Sequence, residues 1–340
     1  MSLFALSIKE HRMQKWLIKA VVQGAMSRLP GGQSLNCLCQ KVFKRWNLPP
    51  NRFEQKLIQC RGHLDSARAD CDRPAAAFTV LDLGTGCYPV VPVGMYLCGA
   101  SVVWTIDIVP LLNRPRLKQV IDFFVRYHRE KRLVGFLPSV QPERIDELEK
   151  IAQSIDSAAT AAEVLKQINI NASVGDVRNM NLAEKSIDFF ISNCVLEHIP
   201  PEILVEILRK FRKVAAPGAV MSHSVDLSDH YADFDRSITV YNFLKYSERA
   251  WRWFNNSLHY QNRLRPADYR DIHKKSGFRI VAEHTSPGYP DVLDQVKLAP
   301  EFRRYSRDDL LVTRARFVAM ACGCESGECE FSSTENGALI

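Results

Sequence analysis

Between residues 79 and 112 the apolar side chains gather in short unbroken runs rather than in alternation. Residues 79–83 make one run and 102–106 a second, as in strands buried on both faces of a parallel sheet. Gly84 and Gly86 break the first run at once, and Pro89 opens a helical stretch, Val90–Leu97, where proline is tolerated in the first turn. Upstream, Trp16, Leu17, Val21 and Val22 recur at helical spacing, as do Phe53, Leu57 and Cys60, with Pro30-Gly31-Gly32 and Pro49-Pro50 as punctuation. Downstream, residues 116–130 read as one helix. Residues 139–168 read as a longer helical stretch with Pro142 near its start and Asp146, Glu147 and Glu149 in its early turns. Residues 265–277 read as a helix closed by glycine, and 278–283 and 311–321 as the last two strands. Strands and helices in this order predict an α/β fold with a largely parallel sheet.

The glycines after the first strand let the backbone turn sharply and approach a ligand with no Cβ in the way. Asp107 stands at the tip of the second strand, where a carboxylate can accept from two ribose hydroxyls. A dinucleotide site would need a third glycine in the sequence G-x-G-x-x-G. Here the run is Gly84-Thr85-Gly86-Cys87-Tyr88-Pro89, and Asp82 inside it would repel a pyrophosphate but suit an ammonium. The pattern Asp-x-Gly-x-Gly resembles motif I of the class I S-adenosylmethionine-dependent methyltransferases.

Three further segments resemble the same family in the same order. Ala172-Ser173-Val174-Gly175-Asp176-Val177-Arg178 is similar to the strand end that holds adenine. Ser186 through Ile199, containing Asn193-Cys194-Val195-Leu196-Glu197-His198, resembles the fourth strand and its loop in the small-molecule branch. Arg209 through Val214, then Ala215-Ala216-Pro217-Gly218, resembles a helix, a turn and the entry to strand five. The likeness is good over residues 76–225 and extends in outline to 320. It implies a Rossmann-like seven-stranded sheet with S-adenosylmethionine as cofactor. It further implies Asp82, Gly84 and Gly86 at the methionyl end, Asp107 at the ribose, Asp176 and the Val177 backbone at the adenine, and Asn193 near the methyl. The first 75 residues would form a helical lid, residues 114–168 a helical insertion, and 322–340 a disordered tail holding Cys322, Cys324 and Cys329.

Composition agrees with a soluble globular enzyme: of 340 residues, 46% are hydrophobic and 24% charged. No stretch of about 18 uncharged apolar residues exists to span a membrane, and the N-terminal apolar run is too short for a signal peptide. Ten scattered cysteines without framework spacing point to reduced thiols and a cytoplasmic location. Charge is uneven: residues 1–75 hold thirteen Lys and Arg against five Asp and Glu, whereas the whole chain carries +7. Such a segment can cover a crevice or touch an anionic membrane surface. The basic lid is the one feature that could attract nucleic acid, and no such partner is expected. Oligomeric state is not legible.

After strand five, His223, Asp226, Asp229 and His230 fall within eight positions. His230 with Asp226 is the candidate general base. The other readings are a polar loop that caps the next helix and a metal site. No His-x-x-x-His or Cys-x-x-Cys spacing supports a metal, and none is expected. Residues 241–264 are rich in aromatics and amides, which reads as a substrate wall or as a core helix. No Asn-Pro-Pro-Tyr follows strand four, which disfavours methylation of nucleic-acid amines. The expected reaction is methyl transfer to a hydroxyl or amine of a small molecule or sugar, in natural-product or glycan biosynthesis. Two alternatives are closure of a small ring from the cofactor's own aminobutyrate chain, which releases methylthioadenosine, and a non-catalytic cofactor-binding scaffold.

Overall fold

A computed structural model of the chain describes residues 14–28, 48–69, 78–157 and 160–322. The expectations for Pro30-Gly31-Gly32 and for the tail beyond Cys322 lie outside those residues. The described order is α1 (Lys15–Met26), α2 (Pro50–Ala69), β1 (Phe78–Leu83), α3 (Val90–Leu97), β2 (Ala100–Asp107), α4 (Arg114–Arg129), α5 (Pro142–Ser154), α6 (Ala161–Lys166), β3 (Ile170–Val174), β4 (Ile187–Asn193), α7 (Pro201–Val214), β5 (Ala215–Asp226), α8 (Pro266–Lys275), β6 (Phe278–Pro287) and β7 (Val312–Ala321), with shorter turns between. The seven strands make one sheet in the order β3-β2-β1-β4-β5-β7-β6. β1 to β5 are parallel, and β7 runs antiparallel between β5 and β6.

Both faces of the sheet are covered, which is why β1 and β4 each carry adjacent buried apolar residues, Val80 with Leu81 and Phe189 with Phe190. Alternate residues of β1 point to opposite cores: Val80 packs with α2, α3 and α4, whereas Leu81 packs with α7. α7 shows how sequence makes one of these layers. Leu204, Ile207, Leu208, Phe211 and Val214 recur at helical spacing and are all buried, and Phe211 stacks on Phe190 of β4 at 4.7 Å. Pro201 starts the helix, and Glu202 at the start and Arg212 and Lys213 at the end complement its dipole. Because β2 lies on one side of β1 and β4 on the other, the chain reverses its winding at the carboxyl end of β1. That is where an open α/β sheet forms its ligand crevice.

Four expectations need correction. The stretch 139–168 is not one helix: α5 passes into a 3-10 turn at Ile155–Ser157, and a capping box of Thr160 and Glu163 starts α6 afresh. Residues 241–264 form neither a long helix nor a wall on the crevice. They hold a 3-10 turn at Asn242–Lys245 and a single helical turn at Glu248–Trp251. Asn255, Asn256 and Asn262 bond to nearby backbone amides and carbonyls, which competes with helix formation. Val21 and Val22 do not share the buried face of α1; they are 65% and 51% exposed, while Trp16 and Ala20 are buried. Trp16 inserts among Tyr231, Tyr246 and Phe254, so α1 seals the aromatic segment rather than the crevice. Finally, Cys60, Cys87, Cys98 and Cys194 are free thiols, but Cys322 is disulfide-bonded, against the expectation of reduced thiols throughout.

α2 covers the crevice edge. Its buried His63 donates from Nε2 to Asn193 Oδ1 at 3.0 Å and accepts at Nδ1 from Ser222 Oγ at 2.7 Å, tying the helix to β4 and β5. Burial, aided by the positive charge of Arg316, holds this imidazole down at about 3. Below the unfolded value near 6.5, the unfolded chain takes up a proton that the folded chain refuses, so this group's stability is full above pH about 6.5 and is lost as pH falls. Urea unfolding at pH 7 and pH 5 is expected to show the His63→Asn variant losing about 2 kcal/mol less than the parent over that interval. Equal losses would place the acid sensitivity elsewhere.

Candidate functional site

Gly84, Thr85 and Gly86 leave β1 in a turn that favours glycine at both ends, with φ of 92° at Gly84 and 63° at Gly86. A Cβ on Gly84 would lie 2.3 Å from Val195 Cγ2, whereas one on Gly86 would meet nothing within 4 Å. The first glycine lets the β1 turn pack on the β4 turn, and the second keeps the crevice open. Cys194, at φ 53°, bends the chain after β4 so that Val195 reaches Gly84. Together with Gly175–Arg178 after β3, these turns enclose a cavity of about 540 Å³.

Most of the residues singled out in sequence converge there. Gly84, Gly86, Asp107, Asp176, Val177 and Asn193 all line the cavity. Asp107 accepts from the Gly86 amide at 2.9 Å and the Val109 amide at 3.0 Å, which fixes the carboxylate and leaves acceptor capacity on both oxygens. Asp176 is placed as expected, but Arg178 engages it through Nε and Nη2 and through its own amide, and this pair lowers the carboxyl's pKa. An adenine amine would therefore share an oxygen that is already bonded. Asp82 does not line the cavity. It lies beneath the turn, 3% exposed, accepting from Thr105 Oγ1 at 2.8 Å, and desolvation raises its pKa to about 7. Lys56 of α2, absent from the sequence reading, is a second cation in the cavity wall besides Arg178. Desolvation lowers the pKa of its ammonium, and the nearby Asp82 opposes the shift. No sequence pattern marks it, because α2 is brought to the crevice only by packing.

His230 and Asp226 come together as expected, with Nε2 and Oδ2 4.0 Å apart. Neither lines the cavity; His198, at the 3-10 turn Leu196–His198, does. The rings of His198 and His230 are 5.1 Å apart, and burial followed by His198 lowers the pKa of His230. Glu197 is 1% exposed and accepts from the Asp226 amide, and desolvation pushes its carboxyl up to about 8. Asn262 secures this turn by donating to the Leu196 and Ile199 carbonyls. Glu197 and His198 stood in the sequence motif after strand four, but only the fold brings them to His230. His223 and Asp229 point into the interior: His223 meets Ser192 Oγ at 2.8 Å, and Asp229 accepts from the Tyr231 amide and from Asn242.

Residues 143–223 match a family model described as a methyltransferase domain. No curated protein matches the chain by sequence. Among solved structures, phosphoethanolamine N-methyltransferase 2 of Haemonchus contortus, with S-adenosyl-L-methionine, superposes with a TM-score of 0.42 at 14% identity, over 78% of this chain and 52% of that one. The chain thus spans about half of that protein's length. A Galdieria sulphuraria protein named as a sarcosine dimethylglycine methyltransferase gives 0.40 at 13% identity over 79% and 86%. Geranyl diphosphate C-methyltransferase of Streptomyces coelicolor gives 0.40 at 10% identity over 77% and 78%.

The two glycines are expected to fail differently. Gly84→Ala combines a positive φ with a clash and should lower the unfolding free energy by about 2–4 kcal/mol. Gly86→Ala should cost about 1 kcal/mol. Urea titration of the two variants checks the order, which a greater loss at Gly86 would reverse.

Proposed function

We propose that this chain is a class I S-adenosylmethionine-dependent methyltransferase and that it methylates a hydroxyl or amine of a small molecule or sugar. The observation that carries the reading is the convergence of the β1 turn, Asp107, the β3 turn and Asn193 on one cavity. The cavity suits the cofactor by its donors as well as its shape. Gly86 offers open space where any side chain would intrude. Asp107 faces the space with free acceptor capacity for ribose hydroxyls. Ile106, Ile108, Val177 and Ile203 supply an apolar slot of the kind a purine fills. Lys56 supplies a cation for the methionyl carboxylate, and the buried Asp82 behind the turn offsets the positive charge there.

Bound there, the cofactor supplies a methyl group already activated by its sulfonium, so orientation contributes most of the acceleration. Asn193 has its side chain fixed by His63 and stands at the cavity wall. His198 also lines the cavity, with Nδ1 donating to the Tyr260 carbonyl at 2.8 Å. Its Nε2 therefore bears the lone pair and can take a proton from an acceptor. His230 and Asp226 stand behind it, and their role is to orient and to tune it. In this arrangement the base that meets the acceptor is His198, and the His230–Asp226 pair is its support.

Calorimetric titration of the pure protein with S-adenosylmethionine is the direct check. Asp107→Ala is expected to weaken binding about 100-fold, from the loss of two hydrogen bonds to a charged acceptor. Lys56→Met is expected to weaken it about tenfold. Binding untouched by Asp107→Ala would remove the cofactor from this cavity. Mass spectrometry of the same mixture without acceptor should return intact cofactor; methylthioadenosine with a new small amino acid would establish ring closure instead of methyl transfer.

A further inference from the structure

Beside the cavity, three side chains from two separate loops turn toward one point. Glu197 and His198 come from the turn after β4, and His230 from the loop after β5. One potential ligand atom from each lies within 4.8 Å of the others. Two features set the group apart from an ordinary polar cluster. Glu197 Oε1 accepts from the Asp226 amide, but Oε2 is buried with no hydrogen-bond partner among the described residues. A buried acceptor without a partner is costly and calls for an explanation. His198, in turn, is held by a backbone carbonyl at Nδ1, which fixes its tautomer and frees Nε2 as a lone-pair donor. That is the outer support a metal-bound imidazole characteristically has. Asp226 brings a further carboxylate to within 4.0 Å of His230 Nε2.

We propose that Glu197, His198 and His230 bind a divalent first-row transition-metal ion of the zinc, iron or manganese type. Two imidazoles and one carboxylate suit such ions better than calcium or magnesium, which favour all-oxygen shells. Three protein ligands leave coordination positions open, the pattern of a working rather than a structural site. Because His198 lines the cavity, an ion bound to it would sit at the cavity's edge. The ion would there hold an oxygen of the acceptor, a hydroxyl or a carboxylate, and lower the pKa of a bound hydroxyl, and with the ion bound it would replace His198 Nε2 as the group that activates the acceptor. That last role rests on the methyl-transfer reading; the binding of the ion does not.

The test is titration of the chelator-treated full chain with Co²⁺, followed by visible absorption. One equivalent of Co²⁺ is expected to develop d–d bands without the thiolate-to-metal charge-transfer band that the chain's cysteines would give. Zn²⁺ should displace it. His198→Ala, His230→Ala and Glu197→Gln should each weaken binding at least about tenfold, in keeping with the loss of a ligand. Should a variant fail to fold, the parent chain still decides: Zn²⁺ should raise its melting temperature in a concentration-dependent way. Absence of both the bands and the shift overturns the proposal, as do bands that survive in the double variant His198→Ala/His230→Ala. Titration with S-adenosylmethionine separates the two readings. Cofactor binding without Co²⁺ bands sinks the metal alone, and bands without cofactor binding sink the cofactor assignment alone.

Discussion

The contact between Gly84 and Val195 is the constraint from which the crevice follows. Two parallel neighbours, β1 and β4, end side by side, and their turns must pass without filling the space above them. The β1 turn achieves this by lacking a Cβ at the point where the Val195 methyl presses on the backbone. Its amide is held from the other side by the Ile106 carbonyl at 2.8 Å. The turn is thus clamped between β2 and the β4 loop. Asp107, Gly86 and Asn193 take their positions from that clamp, and none could be shifted without disturbing the others.

Polar groups inside the sheet reinforce the arrangement. Asp82, Thr105 and Thr85 form a chain of hydrogen bonds directly under the glycine turn, at 2.8 Å and 2.6 Å. His63, Ser222 and Asn193 form a second chain that ties α2 across the strand ends. Buried polar groups are tolerable only when paired, so both networks fix geometry more strongly than apolar contacts could. Both also terminate at cavity-lining residues, Thr85 in one and Asn193 in the other. The rigidity of the cavity wall is in this sense an export of the sheet interior.

What was legible in the sequence was whatever a short run of residues determines. The strand-glycine-helix unit, Asp107, and the segments after β3 and β4 are local patterns, and the structure gathers them as the spacing implied. The segments misread were those decided by competition at longer range. In α1, Val21 and Val22 have the right spacing for a buried face, but Trp16 fixes the helix by entering the aromatic cluster, and the valines turn outward. Among the aromatics after β5, asparagine side chains bonding to nearby backbone outweighed a helical spacing that read as a core. Lys56 had no local signal at all. His198 was in view within a family-like motif, yet its role depends on Tyr260 and His230, residues 62 and 32 positions away.

The acid and imidazole groups after β4 and β5 come together because of where the sheet ends these two strands. β4 and β5 are adjacent and parallel, so their following loops necessarily meet at the crevice edge. Any side chains carried at the first few positions of both loops will be neighbours, whatever their separation in sequence. Glu197 and His198 from one loop and Asp226 and His230 from the other exploit that adjacency. Asn262 holds the first loop by its carbonyls, and Gln261 holds the second by the Ser228 carbonyl and the His230 amide. Two consecutive amides of the irregular segment therefore set the distance between the two loops. The aromatic segment does not touch the cavity, yet through these amides it decides how closely His198 and His230 approach. Its dense packing against Trp16 then makes α1 a remote support of that spacing rather than a cover over the cavity.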